Sequence, residues 1–219
     1  MFGVIAPRYD LITRIFSYGM DRRWKRAAVG LSSLKPGARI LDLACGTADF
    51  SKIVLEHDRK ARVVACDLTE QMLRRAAQQG IGNGVCADAM CLPFDDGIFD
   101  AVFVGYGLRN FPDLAASIKE IRRVLHAGGV LASLDFYLPS NAAWREIYLG
   151  YLFAQGALWG TLLHGEARIY TYIPKSLRTF ISARDFSRLL RESGYSEVRD
   201  RTYLAGGIAV HIARAGAVA

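Results

Sequence analysis

Three carboxylates each fall at or near the end of a short apolar run. They are Asp42 in RILDLA (39–44), Asp67 in ARVVACDL (61–68) and Asp88 closing residues 83–88. A carboxylate accepts hydrogen bonds and donates none, so such a row suits a ligand rich in hydroxyl and amino groups. Asp67, 25 residues beyond Asp42, is placed to accept from both hydroxyls of a ribose. Asp88 would accept from an adenine amino group while the Ala89 N–H donates to a ring nitrogen. Asp42 either orients the loop behind it or accepts from an ammonium. Taken singly, an aspartate at a strand end is commonly a helix cap or a turn former, so the joint spacing carries the signal.

The elements that must position these acids alternate strand and helix. The runs at 39–44, 61–68, 83–88, 99–105 and 128–136 read as strands, with helices to about His57, behind Thr69 as an N-cap, and from about Leu114 to Leu125. Such alternation specifies a parallel sheet covered by helices on both faces. Two last strands near 197–204 and 207–213, separated by a tight Gly206-Gly207 region, predict an antiparallel edge hairpin. The expected fold is α/β and Rossmann-like, with a mostly parallel seven-stranded sheet. Ligands of open sheets bind at the carboxyl ends of the strands. The first such end reads Cys45-Gly46-Thr47-Ala48-Asp49, where Gly46 lets the backbone pass close to a ligand. A pyrophosphate would want GxGxxG and no facing acid. CGTADF in an acidic neighbourhood instead fits a ligand that is cationic at its reactive end. S-adenosylmethionine is such a ligand: adenosine, a sulfonium and an amino-acid tail, with no phosphate.

At 219 residues and 52% hydrophobic content, the chain has enough apolar mass for one domain. Its formal charge is +7, and residues 1–26 carry six basic side chains (Arg8, Arg14, Arg22, Arg23, Lys25, Arg26) against Asp10 and Asp21. The expected consequence is an anionic partner surface or a solvated helix face near this end. No secretory signal is evident at the N-terminus, so a cytoplasmic location is expected. Cys45, Cys66, Cys86 and Cys91 form no CxxC pair and read as reduced thiols packed as small apolar groups. His57, His126, His164 and His211 lack ligand spacing, so no metal is assigned, and His211 reads as structural. Ile147–Leu163 contains no charge and is rich in Leu, Tyr, Phe and Trp. It reads as a buried or interface helix (a homodimer contact included), as a lid over an apolar substrate, or as a membrane span, with Gly150, Gly156 and Gly160 weakening it as a rigid helix. Basic and aromatic residues do not interleave there, which argues against a nucleic-acid partner.

More specific motifs lie elsewhere: RYDLITRIFSYGMDRRWKR (8–26), ADAMCLPFDDGIFD (87–100), GYGLRNF (105–111), RRVLHAGGVLASLDF (122–136), YTYIPKSLRTF (170–180) and GGIAVHIA (206–213). Together these resemble the ubiquinone/menaquinone biosynthesis C-methyltransferases, a family of class I S-adenosylmethionine-dependent enzymes, nearly end to end. The resemblance implies methyl transfer to a ring carbon of a polyprenylated, lipophilic quinol, a demethylmenaquinol or ubiquinol precursor. It implies cofactor contacts at Thr47, Asp67, Asp88, Ala89 and Gly105, which join Asp42, Gly46 and Leu68 as candidates. It further implies Arg109, Asn110 and Tyr9 as the groups that help deprotonate the quinol. Arg109 stays protonated, so it is expected to stabilise a phenolate while a water takes the proton. The alternative for Arg109-Asn110 is a loop brace, and for Tyr9 packing of the N-terminal segment. Residues 1–219 are expected to form one domain, with 1–30 as a helical cap and 138–175 as a substrate-covering insertion. A basic N-terminus beside an apolar segment suggests peripheral contact with the cytoplasmic membrane face. Ala48 replaces a glycine usual in the family, Gly105 stands where serine is frequent, and residues 138–169 match poorly. A methyltransferase of another small aromatic or apolar molecule therefore stays open, as does a non-catalytic subunit of a quinone-making assembly.

Overall fold

In the computed structural model, residues 9–216 are described, the side chains of Tyr9 and Asp10 excepted. The strands are Arg39–Leu43 (β1), Arg62–Asp67 (β2), Gly84–Cys86 (β3), Phe99–Gly105 (β4), Leu125–Phe136 (β5), Tyr195–Tyr203 (β6) and Ile208–Ala215 (β7). They form one sheet in the order β3-β2-β1-β4-β5-β7-β6. The first five pair parallel, while β7 lies antiparallel between β5 and β6. The expected fold class and edge hairpin are therefore those observed.

The helices are Tyr9–Phe16 (α1), Asp21–Leu31 (α2), Asp49–His57 (α3), Glu70–Gln78 (α4), Leu114–Val124 (α5), Ala142–His164 (α6), Tyr172–Arg178 (α7) and Ala183–Glu192 (α8). Side chains alternate across the sheet. Ile40, Phe103, Ala132, Leu134 and Val210 pack toward α1–α3, α6 and α7, whereas Leu41, Val102, Leu131 and Ala209 pack toward α5 and α8. Near-continuous apolar strands are what a sheet buried on both faces requires. Helix starts follow local chemistry: Asp113, Asn141 and Ser182 each accept from a backbone N–H three residues on.

Several expectations need correction. Thr69 occupies the N-cap of α4 but makes no side-chain cap bond. It donates its N–H to Asp67 Oδ1 at 2.8 Å instead. Strand β5 begins at Leu125 rather than Gly128, because a register shift between Phe99 and Ala101 lets pairing start earlier. The turn before β7 holds Leu204, Ala205 and Gly206 in left-handed conformations, and is thus more than a Gly-Gly corner. Residues 142–164 form one unbroken helix of 23 residues. None of the described helices is long and apolar enough to cross a membrane, which removes the membrane-span reading. Two of its glycines serve close packing: a Cβ on Gly156 would sit 2.9 Å from the Tyr170 carbonyl oxygen, and one on Gly160 2.6 Å from that of Glu166.

Of the basic N-terminal side chains described, Arg14, Arg22, Arg23 and Arg26 are exposed, which fits a solvated helix face, and Arg22 and Arg26 both bridge Glu56. Lys25 is the exception, buried between Asp21 and Asp49, and Arg8 lies outside the described residues. Cys45 and Cys66 are buried as expected, but Cys86 and Cys91 are exposed.

Candidate active site

The loop after β1 is shaped by backbone conformation. Ala44, Gly46 and Ala48 have φ of +52°, +54° and +61°, so alternate residues turn left-handed and curl the chain around the strand end. Asp42 holds this curl from beneath. It is 1% exposed, and its Oδ2 accepts from the Ser51 N–H at 2.8 Å and the Ser51 hydroxyl at 2.6 Å. Burial lifts its carboxyl to about 7, with the Ser51 bonds pulling it back. Of its two expected roles the geometry favours the first, orientation of the loop and the start of α3. Asp67 ties the neighbouring loops together: Oδ2 accepts from Gly46 N–H at 2.9 Å and Oδ1 from Thr69 N–H. A carboxylate has about four acceptor positions, so this one can still take a ligand hydroxyl. Burial raises its carboxyl above the usual range, and these two backbone bonds lower it again.

Asp88 lies just beyond β3, its Oδ1 accepting from the Met90 N–H at 2.9 Å. Ala89 and Thr47 are buried, whereas Leu68 is 70% exposed, an apolar side chain held out beside Asp67. Gly105 ends β4, and a Cβ there would meet the Phe50 ring at 3.0 Å. A serine at this position would therefore displace Phe50. Asp67, Asp88 and Gly105, with the 44–48 loop, lie along the carboxyl ends of β3, β2, β1 and β4 in spatial order. Hydroxyl acceptors and a backbone cradle along this edge fit an adenosine.

Beyond β4, Tyr106 takes φ +59°. Its carbonyl accepts from Arg109 Nη1 at 3.0 Å and from the Asn110 amide at 3.3 Å, so both residues brace this turn. Asn110 is exposed. Arg109 is not: 4% of its side chain is accessible, and Nη1 meets Asp135 Oδ1 at 2.5 Å. Its guanidinium also lies over the Phe136 ring, 5.2 Å from the centroid. Asp135 is fully buried, and its Oδ1 also accepts from the N–H of its neighbour Phe136 at 2.7 Å. Burial raises the Asp135 carboxyl above the usual range, with Arg109 opposing the shift. Arg109 faces a cavity of about 30 Å³ whose walls include Ile12, Phe16, Tyr106, Phe136 and Tyr170. Tyr9 opens α1, the helix on one wall, but its side chain lies outside the described residues.

Sequence reasoning missed Asp135, and the available signal was an acid inside the apolar run VLASLDFYL. His211 is buried, its Nε2 within 3.0 Å of the Ala183 carbonyl, with burial lowering its pKa to about 4.

Known proteins resemble this chain at two levels. Residues 1–215 match the model of the ubiE/COQ5 methyltransferase family. A demethylmenaquinone methyltransferase of Thermus thermophilus is 38% identical over 217 residues, covering 97% of this chain and 98% of that protein. A ubiquinone/menaquinone biosynthesis C-methyltransferase UbiE of Pseudomonas putida is 35% identical over 222 residues, covering 96% of this chain and 86% of that one. Among solved structures, a methyltransferase of Bacillus halodurans superposes with a TM-score of 0.66 at 20% identity, covering 88% of this chain and 99% of that one. That likeness concerns the fold alone. With the acid row, the curled loop and the buried guanidinium in one sheet face, the chain belongs to the ubiE/COQ5 methyltransferase family and is an S-adenosylmethionine-dependent methyltransferase.

Proposed function

We propose that this chain methylates a ring carbon of a polyprenylated quinol, a demethylmenaquinol or ubiquinol precursor. The observation that carries the reading is one buried guanidinium, Arg109, set in a mainly aromatic and aliphatic cavity to which Thr13 adds a hydroxyl, beside the proposed cofactor face. Gly46, Thr47, Asp67, Leu68, Asp88, Ala89 and Gly105 would hold S-adenosylmethionine, with Asp42 positioning the loop. When bound, the cofactor supplies a methyl group on a sulfonium, poised for in-line displacement.

The chain's own residues must then activate a carbon, which is a poor nucleophile until a neighbouring hydroxyl loses its proton. Arg109 cannot accept that proton, since a guanidinium stays charged at any working pH. It stabilises the resulting oxyanion while an intervening water takes the proton, and Asp135 fixes the direction in which it points. Asn110 steadies the Tyr106 turn behind Arg109 and orients the water, and Tyr9 hydrogen-bonds the ring oxygen. A cavity of about 30 Å³ is far smaller than the roughly 150 Å³ that holds a benzene. Ring entry therefore parts α1 from the Tyr170–Ile173 segment, and closure behind it excludes water. Residues 1–30 act as the cap and 138–175 as the substrate cover.

The outer face of α6 exposes Ile147, Leu158 and Leu162, and Tyr151 there stacks on Tyr18. We assign this face to peripheral contact with the membrane that carries such a quinol. Flotation with anionic vesicles supports this if the protein rises with them. A protein that stays below and elutes as a dimer makes the face a homodimer contact instead. The reaction itself is tested by transfer of labelled methyl from S-adenosylmethionine to reduced demethylmenaquinol and demethoxyubiquinol analogues. Ring-methylated product is expected. Binding of S-adenosylhomocysteine without label in either quinol refutes the assigned substrate.

A further inference from the structure

A charged cluster where α2, α3 and the end of β4 meet has no part in the chemistry above. Lys25 has 4% of its side chain exposed, with Nζ 3.0 Å from Asp21 Oδ2 and 3.1 Å from Asp49 Oδ2. Its ammonium lies 5.9 Å from the Phe50 ring centroid and 5.6 Å from that of Tyr106. Its Cε would be 3.6 Å from a Cβ placed on Gly105. Lys25 thus sits between the end of β4 and the turn that carries Arg109.

Two features distinguish this cluster from a simple brace between helices. Asp21 Oδ1 is buried and has no hydrogen-bond partner among the described residues, a costly state for a carboxylate oxygen. The cluster also borders a cavity of about 510 Å³ lined by Asp21 and Asp49 together with Arg14, Arg22, Lys52 and Glu56. Burial opposes the charge on Lys25, but the two carboxylates more than offset it, so Lys25 is a cation between two anions. An incoming group that suits this site brings a donor for Asp21 Oδ1 and an acceptor for Lys25 Nζ. That pair of demands describes an α-amino acid zwitterion.

From Asp88 at β3 to Gly105 at β4 the sheet takes three strand-to-strand steps, roughly 14 Å. An adenosine laid over Asp88 and Asp67 directs whatever extends from its ribose toward Lys25. We infer that Asp21, Lys25 and Asp49 receive the amino-acid end of S-adenosylmethionine, the ammonium on Asp21 Oδ1 and the carboxylate on Lys25 Nζ. The inference rests on the cofactor placement proposed above. It makes α2 part of the cofactor site, so that the cap and the cofactor bind together.

Calorimetry separates the two ends of the ligand. Wild-type protein is titrated with S-adenosylhomocysteine, with its decarboxylated analogue, and with 5′-methylthioadenosine, which lacks the amino-acid tail. Lys25→Met is expected to weaken S-adenosylhomocysteine about thirty-fold, to leave methylthioadenosine within two-fold, and to abolish the preference for the carboxylated ligand. Asp21→Asn is expected to weaken both amine-bearing ligands and spare methylthioadenosine. Should Lys25→Met fail to fold, Asp21→Asn decides alone, because the amide oxygen it keeps can still accept from Lys25 Nζ while Asp49 supplies the remaining counter-charge. Equal weakening of all three ligands, or of none, overturns the inference and leaves Lys25 a brace. If the wild type binds none of the three, the cofactor placement fails, and this inference with it.

Discussion

Asp135→Asn is the change that most directly tests the Arg109 arrangement. The pair is almost fully removed from water, with 4% and 0% of the two side chains exposed and 2.5 Å between them. Removing one charge leaves the other buried without a counter-ion, a loss of about 3–5 kcal/mol. For 219 residues the unfolding entropy is about 0.46 kcal/mol per degree, so the midpoint should fall by about 7–11 °C. Turnover should fall about a hundred-fold, because Arg109 keeps its charge but loses the carboxylate that aims it. Replacing both partners with Met and Leu should recover most of the lost stability and none of the activity. Arg109→Lys should lose turnover as well, since the shorter side chain does not carry its ammonium to where Nη1 donates to both Asp135 and the Tyr106 carbonyl, and it gives up the planar guanidinium over Phe136. Thermal melts and single-turnover methyl transfer measure the two effects separately. A midpoint within 2 °C of wild type together with unchanged turnover in Asp135→Asn would refute the reasoning.

Asp67→Ala should weaken S-adenosylhomocysteine at least thirty-fold by calorimetry, as charge-assisted bonding to a ribose is lost; unchanged affinity would remove Asp67 from the site. His211 is neutral in the fold, its pKa lowered to about 4, whereas the unfolded chain takes up a proton near 6.5. Its contribution is therefore complete above about 6.5 and lost as pH falls toward 4, by about 3 kcal/mol at most. Melts of His211→Gln should accordingly decline less than wild type between pH 6.5 and 4.5, and parallel curves would contradict this. Gly160→Ala should lower the melting midpoint by about 2–7 °C, from a cost of about 1–3 kcal/mol, because its Cβ would lie 2.6 Å from a backbone oxygen. Gly150→Ala, with nothing within 4 Å, should raise it by about 1–2 °C; the same sign for both changes would mean that the α6 contact is misjudged.

Much of the fold was legible because parallel strands buried on both faces leave short apolar runs that no surface element shares. Strand β4 is read at its observed limits, Phe99–Gly105, since Asp100 is its sole interruption. Boundaries failed where backbone geometry overrode pattern, as at Leu125 and in the left-handed turn at 204–206. The glycines of α6 were misread for a related reason. Their cost in helix propensity is local and visible, whereas Gly156 and Gly160 admit the 166–171 segment, a partner set by tertiary packing.

The candidate site divides along the same physical line. The positions of Asp67, Asp88 and Gly46 were legible because the strand pattern already puts them at the carboxyl ends of neighbouring parallel strands, where they lie. Lys25 and Asp135 were not, and for both the obstacle is that charge reads as surface. Lys25 sits in DRRWKR, where its basic neighbours Arg22, Arg23 and Arg26 are exposed, and nothing in that run marks the one basic residue turned inward. Asp135 is different, since an acid between Leu134 and Phe136 must be paired, and Arg109 was already a candidate in need of a partner. A buried charge is expensive enough that each one implies a specific opposite group. Pairing the charges of apolar runs before assigning roles would have joined Arg109 to Asp135 from the sequence. It would also have made the guanidinium an aimed group rather than one of three residues taken from a motif.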